Sequence, residues 1–197
     1  MNDSESELLE NEAKSKETNI IMHVAIVGFH HKKGTLLEYS YPPLIDGEPH
    51  SSSALPVEWK SLPALALPDG AHHHETDSSY FLLPLPGSDR CVFGVSFYRQ
   101  IETEKLKVKT ADVCRETVQK SVVIISRVPL FGVLKAKLEM VSEAFFRERD
   151  FSQVSILEEL YEQVNMSRAR METRNVPRRL VCTVSAAQVP SQNFASL

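Results

Sequence analysis

Ile21-Met-His-Val-Ala-Ile-Val-Gly-Phe29 is the stretch of sequence that decides the fold. Its apolar and β-branched residues follow one another without the polar alternation of a strand that has one face in water. It therefore predicts a central strand that is buried on both faces. Lys32-Lys33-Gly34 is a short turn sequence, and residues 35–41 are typical of a second strand, which Pro42 and Pro43 end. The two strands predict an antiparallel hairpin.

Beyond this hairpin, the sequence predicts one short helix and three further strands. Residues 55–62 carry Pro56 in the first turn of the helix, where its missing N–H costs nothing, and Pro63 limits the helix. The strands are predicted at residues 79–83, 91–101 and 120–126. Gly94 lies inside the second of them, which indicates a bulge or a close packing contact.

The hydrophobic period changes to that of a helix after residue 130. Apolar residues at spacings of three and four define one face of a helix over residues 131–148: Phe131, Leu134, Leu138, Val141 and Phe145. Asp150 and Gln153 have the spacing of a capping box and begin a second helix, whose apolar stripe ends at Val164. The order of elements predicts an α/β (α+β) sandwich in which helices cover an antiparallel sheet.

Charge divides the 197 residues into three segments. Residues 1–19 contain six acids and two lysines, a net charge of 2 − 6 = −4, and predict a disordered acidic arm. Residues 166–197 contain five arginines and one glutamate, a net charge of 5 − 1 = +4, and predict a disordered Arg-rich tail. Residues 20–165 are long enough to bury one complete core, so they predict a single domain.

Composition excludes several classes of protein. The three cysteines are odd in number and widely spaced, which supports neither a disulfide framework nor a zinc ribbon and leads us to expect a cytoplasmic protein. The N-terminus is too acidic for a signal peptide, and the apolar run at residues 20–29 is shorter than the roughly 20 residues that cross a bilayer. Membrane association is expected only through partners. No basic stripe marks residues 20–165, so nucleic acid is not an expected partner.

No complete catalytic signature is found. Residues 28–35 resemble a phosphate-binding loop, but five residues separate the two glycines instead of four. The sequence around Ser96 lacks the second glycine that a nucleophile elbow has after its serine. Alternate residues of an extended segment share a face, so His72, His74 and Glu75 form a candidate zinc set for a metal-dependent hydrolase. A solvated polar loop is the alternative for that segment. We therefore predict a protein without catalytic residues, metal or cofactor.

Six runs of sequence, taken in order, carry a resemblance to one known family: Val27-Gly-Phe-His-His-Lys-Lys-Gly34, Glu38-Tyr-Ser-Tyr-Pro-Pro-Leu44, Leu67-Pro-Asp-Gly-Ala-His72, Phe93-Gly-Val-Ser-Phe-Tyr-Arg-Gln-Ile101, Arg115-Glu-Thr-Val-Gln-Lys-Ser-Val122 and Asp150-Phe-Ser-Gln-Val-Ser-Ile-Leu157. Over residues 20–165 the chain resembles the N-terminal segment of the Avl-type late secretory pathway proteins, which belong to the DENN-domain superfamily. The Arg-rich tail stands where the central DENN lobe of that family would begin, and we interpret it as an alternative C-terminus.

The resemblance implies an upstream DENN domain of the longin type: a five-stranded antiparallel sheet with one helix on one face and two on the other. It implies a role in vesicle traffic, peripheral on Golgi-derived or endosomal membranes, through protein contact with a Rab-type small GTPase as part of a guanine-nucleotide exchange factor. Without the central lobe, this chain is not expected to be a full exchange factor alone. The alternative is an interaction module without exchange activity, which pairs with another DENN or longin lobe or competes with the full-length protein.

The motifs that carry the resemblance also supply candidate partner-binding residues, which lie at predicted turns and strand ends: Pro42, Pro43, Asp69, Gly70, Tyr98, Arg99 and Arg115. The two arginines suit bidentate contact with a carboxylate of a partner. For Pro68-Asp69-Gly70, the alternative is a sequence that only fixes a turn.

Overall fold

The structure is a computed structural model, which describes residues 19–108 and 116–172. Five strands are found in this part of the chain: β1 (Ile21–His30), β2 (Gly34–Tyr41), β3 (Thr76–Pro84), β4 (Cys91–Glu102) and β5 (Thr117–Ser126). Three α-helices accompany them: α1 (Leu62–Ala66), α2 (Phe131–Glu148) and α3 (Ser155–Glu172). Short 3₁₀ turns lie at Val57–Trp59, Ala71–His73 and Thr103–Lys105.

The strands form one antiparallel sheet in the order β2-β1-β5-β4-β3. Helices α2 and α3 pack on one face through a cluster that includes Leu138 and Leu157. Helix α1 and the turn with Trp59 pack on the other face. The predicted arrangement of five antiparallel strands, with one helix on one face and two on the other, is confirmed.

Strand β1 is buried on both faces, as its sequence predicts. Ile26 is 2% exposed and belongs to the core under α2 and α3, whereas Ala25 and Val27 belong to the core under α1. The strand has a hydrogen-bonded neighbour on each side, β2 and β5, and the middle place in the sheet belongs to β5. Burial on both faces explains why the apolar residues of β1 do not alternate with polar ones.

The short helix begins later than the sequence predicts. Residues 57–59 form a 3₁₀ turn, and α1 begins at Leu62 with Pro63 in its first turn. The first turn of a helix leaves its backbone N–H groups without intrahelical partners, so a proline there loses no hydrogen bond. Pro63 therefore helps to begin the helix and does not limit it, and the prediction at residues 55–62 is wrong.

Helix α3 continues to Glu172, beyond the domain boundary predicted at residue 165. Asn165 lies within it and pairs with the start of β1: Ile21 N donates to Asn165 Oδ1 at 2.9 Å, and Asn165 Nδ2 donates to the Ile21 carbonyl at 3.2 Å. A polar residue therefore connects the helix to the sheet where the apolar stripe ends. The predictions of a disordered arm and tail concern residues that lie outside the described part, apart from Asn19 and from residues 166–172, which form the last turns of α3.

Gly94 makes the close packing contact that its place inside a strand indicates. It lies opposite Phe81 in the pairing of β3 with β4, and a methyl group on Gly94 would overlap the Phe81 ring. The pairing of β3 with β4 runs without a shift past this point, so the alternative of a bulge at Gly94 is wrong. The shift in the β1–β2 pairing lies between Ile26 and Val27.

Lys120 is a buried charge that sequence analysis did not identify. Its ammonium group pairs with the carboxylate of Glu38 and lies 5.0 Å from the centroid of the Phe151 ring. The Glu38 carboxylate occupies the space that a side chain at Gly28 would need. These contacts connect β1, β2 and β5 to the segment between α2 and α3, and we assign them to the stability of the domain.

Ser142 provides a test of the packing of α2. Its side chain is fully buried, and its hydroxyl has no hydrogen-bond partner among the described residues. A buried hydroxyl without a partner is destabilising, and alanine is the better helix former. Ser142→Ala is expected to stabilise the domain by about 1 kcal/mol, a rise in Tm of roughly 2–4 °C.

Thermal unfolding followed by circular dichroism measures this effect. The exposed Ser53 offers a matched control, and Ser53→Ala should leave Tm unchanged. A Tm for Ser142→Ala below that of the unmodified chain would show that the hydroxyl contributes a favourable contact.

Candidate protein-interaction surfaces

The candidate residues from the sequence lie at opposite ends of the sheet. Pro42 and Pro43 directly follow β2. They lie at the end of the sheet where Arg127 follows β5, and we call this the Arg127 end. Arg99 is paired with Thr76, the first residue of β3, at the other end, which we call the Arg99 end. The candidates therefore do not form one site. Arg115 lies outside the described residues.

Tyr98 is a core residue and not a surface contact. Its side chain is 1% exposed and packs with the cluster under α1, where its hydroxyl donates to Gln100 Oε1 at 3.2 Å. Burial raises the pKa of the Tyr98 phenol to about 12. The assignment of Tyr98 to the partner-facing set is wrong, because β4 is covered on both faces and a residue near its end is still buried.

The Asp69-Gly70 segment forms a turn between α1 and β3. Gly70 has a φ of 87°, a conformation that favours glycine, and Ala71 N donates to the Pro68 carbonyl at 3.2 Å. Asp69 is exposed. The turn conformation is by itself a sufficient reason for a glycine at position 70. Asp69 remains a candidate for contact with a partner protein.

Arg99 lines a cleft of about 430 Å³ at the Arg99 end. Two ion pairs lie in its walls, Lys105 with Glu102 at 3.0 Å and Arg147 with Glu143 at 2.8 Å. The guanidinium of Arg99 forms no ion pair with a described residue. It is therefore available for a carboxylate brought by another protein.

The histidine segment does not have the geometry that the zinc hypothesis requires. Ala71–His73 is a 3₁₀ turn and not an extended strand, so alternate residues there do not share a face. Among the side chains that the structure describes, which do not include that of His72, no three from His, Cys, Asp or Glu are grouped closely enough to hold a metal ion.

An exposed apolar surface lies beside edge strand β3. We call it the β3 shelf; its residues are Tyr80, Leu82, Leu130 and Phe131. Tyr80, Leu82 and Leu130 are 50%, 56% and 40% exposed. The ring of Phe131, at the start of α2, lies edge-on to Tyr80 with centroids 5.5 Å apart. Because α2 covers β4 more than β3, the side chains on this face of β3 are left uncovered.

The backbone edge of β3 next to this shelf is also open. Strand β3 pairs with β4 on one side, and none of the described residues adds a strand on the other. The opposite edge of the sheet is partly covered, because Ser40 N donates to the His50 carbonyl at 2.8 Å and His50 Nδ1 donates to the Ser40 carbonyl at 2.9 Å. An open edge with apolar side chains beside it is suited to pairing with another protein segment.

Sequence analysis missed the β3 shelf, although residues 80–84 contain a signal for it. Tyr80-Phe-Leu-Leu-Pro84 is apolar on consecutive residues, which means that both faces of this strand are apolar. Phe81 and Leu83 are buried under α1, but Tyr80 and Leu82, on the other face, are about half exposed. No helix in that part is both long and apolar enough to span a bilayer.

The sequence of this chain is similar to those of late secretory pathway proteins. The chain is 40% identical over 141 residues to a Schizosaccharomyces pombe protein named late secretory pathway protein avl9, a match that covers 72% of this chain and 28% of that protein. It is 37% identical over 167 residues to the Saccharomyces cerevisiae late secretory pathway protein AVL9, covering 75% of this chain and 21% of that protein. The family model described as "Transport protein Avl9" matches residues 21–189. The chain therefore belongs to the Avl9 transport protein family.

Proposed function

We propose that this chain acts in vesicle traffic of the late secretory pathway as an interaction lobe that docks on a further lobe of an Avl9-family protein. Two relatives carry the late secretory pathway in their names, and the chain spans only 28% and 21% of their length. Most of each relative therefore lies outside the matched region and can supply the second lobe. This lobe needs no catalytic residues, because it works by protein contact.

The β3 shelf is the observation that carries the proposal. An incoming strand would pair with the open backbone edge of β3, and its apolar side chains would cover Tyr80 and Leu82. Burial of apolar area contributes about 25 cal/mol per Å², so covering the shelf favours association. The second lobe is the preferred occupant because it is covalently linked in the relatives, which raises its effective concentration.

We further propose that the assembled lobes form a DENN module that regulates a Rab-type GTPase on Golgi-derived or endosomal membranes. An exchange factor stabilises the nucleotide-free GTPase by binding its switch segments. Arg99 has no ion pair among the described residues and lies in a charged cleft, which makes it our candidate contact to a carboxylate of that GTPase. Alone, the chain would be an interaction module or a competitor without exchange activity.

Charged substitutions on the β3 shelf test the docking surface. Leu82→Lys combined with Tyr80→Lys is expected to weaken binding to the remainder of the S. pombe protein at least tenfold, because lysine places a charge against the apolar contact. Binding is measured by titration calorimetry with purified proteins. Val57 is 74% exposed on the far side of the sheet, so Val57→Lys is the matched control and should leave affinity unchanged.

Equal affinity for the shelf variant and the control would remove the β3 shelf from the interface.

Release of fluorescent GDP from purified Rab-type GTPases tests the proposed regulation of a GTPase by the assembled lobes. The chain alone should leave the release rate unchanged, and the assembled lobes should raise it. If the assembled lobes accelerate GDP release from none of a representative panel of these GTPases, exchange activity is excluded. The function is then that of an interaction module without exchange activity.

A further inference from the structure

A second pocket lies at the Arg127 end of the sheet. Its volume is about 270 Å³, and proline side chains form much of its wall, among them Pro42, Pro43 and Pro86. Trp59 forms another part of the wall and is fixed by a hydrogen bond from its Nε1 to the Pro84 carbonyl at 2.7 Å. Proline and the indole ring are rigid, so the pocket is preformed.

Arg127 brings an unsatisfied donor to this pocket. Its Nε atom is buried and finds no hydrogen-bond acceptor among the described residues. A buried donor without a partner is costly, and an acceptor that reached it would remove that cost. The planar guanidinium matches a carboxylate, which accepts two parallel hydrogen bonds from it. The pocket is therefore suited to an acidic side chain.

The acidic arm enters the domain directly beside this pocket. Arg127 N donates to the carbonyl of Ile20 at 2.8 Å, so the backbone that leads into the arm is hydrogen-bonded to the residue that carries the unsatisfied donor. Asn19 Nδ2 donates to Tyr161 Oη at 3.0 Å, and Tyr161 lines the pocket. Residues 1–18 begin at this point and carry six acids and two lysines, a net charge of 2 − 6 = −4.

We propose that the acidic arm, residues 1–18, is an internal ligand of this pocket and binds Arg127 through one of its carboxylates. A tethered segment reaches millimolar effective concentration, so a weak contact is enough to keep the pocket occupied. The arm then covers Pro42 and Pro43 and competes with any acidic segment that another protein offers. This contact is independent of the proposed docking at the β3 shelf.

Binding of a fluorescein-labelled peptide with the sequence of residues 1–18 tests the proposal on the full chain. In an open variant, the five acids of the arm before residue 13 are replaced by their amides. Anisotropy should show that this variant binds the peptide, and that the unmodified chain binds it at least tenfold more weakly because its own arm competes. Adding Arg127→Gln to the open variant should cost a further tenfold or more, about 1.4 kcal/mol. Arg149→Gln, at the Arg99 end, is the matched control and should not change binding.

The outcomes separate the two parts of the proposal. No binding to the open variant, or unchanged binding after Arg127→Gln, would show that the pocket does not take carboxylates. Equal binding to the open variant and the unmodified chain would show that the arm is not the resident ligand. A peptide with all acids replaced by amides should not bind the open variant, and this measurement decides the role of the carboxylates even if Arg127→Gln fails to fold.

Discussion

Replacing Ile26 by aspartate is expected to unfold the domain. The Ile26 side chain is 2% exposed and lies in the core between the sheet and helices α2 and α3. A carboxylate at this position would lie among the apolar side chains of this cluster, so it must lose much of its hydration or remain protonated. Burial of an unpaired polar group costs several kcal/mol, a large part of the roughly 5–15 kcal/mol that stabilises a domain.

Circular dichroism and thermal unfolding measure this loss. Ile26→Asp should show no cooperative transition, whereas Leu82→Asp, on exposed strand β3, should melt cooperatively within a few degrees of the unmodified chain. An Ile26→Asp protein that is soluble and melts like the control would contradict the burial of β1 on both faces.

Gly94→Ala is expected to be the next most damaging change, at about 1–3 kcal/mol. A methyl group at this position overlaps the ring of Phe81, which is itself buried in the cluster under α1. The ring can move only by disturbing its neighbours, because protein interiors are closely packed. Denaturant unfolding of the chain measures the free energy lost.

A double-mutant cycle identifies the contact responsible. With Phe81→Leu already in place, the added methyl group has more room, and Gly94→Ala should cost less than it does in the unmodified chain. The expected coupling between the two positions is of the order of 1 kcal/mol. Additive effects would show that Gly94 is required for a reason other than the Phe81 ring.

The sheet and the two long helices could be predicted from sequence because their hydrophobic periods are strong and local. The run at residues 21–29 has no polar alternation, and that pattern requires cover on both faces. The helix at residues 131–148 has an uninterrupted stripe. Pro63 was misassigned because a proline both begins and ends helices, and only the neighbouring turn decides between these roles.

The interaction surfaces could not be predicted in the same way, because they depend on residues far apart in sequence. Arg127 is one residue past a buried strand, and only packing shows that its Nε has no acceptor among the residues that the structure describes. Tyr98 was misplaced because a strand with two buried faces gives no periodic signal for the side on which a residue lies. Tyr80 and Leu82 are exposed because α2 lies over β4, a placement that follows from tertiary packing.

Hydrogen exchange of the β3 backbone tests the central claim most directly. A strand added to the open edge would hydrogen-bond outward-facing N–H groups within Thr76–Pro84, and their exchange would slow. We expect this protection when the chain is mixed with the remainder of an Avl9-family protein, and we expect Leu82→Lys combined with Tyr80→Lys to abolish it. A stable complex in which β3 exchanges as fast as in the free chain would contradict docking through the β3 shelf.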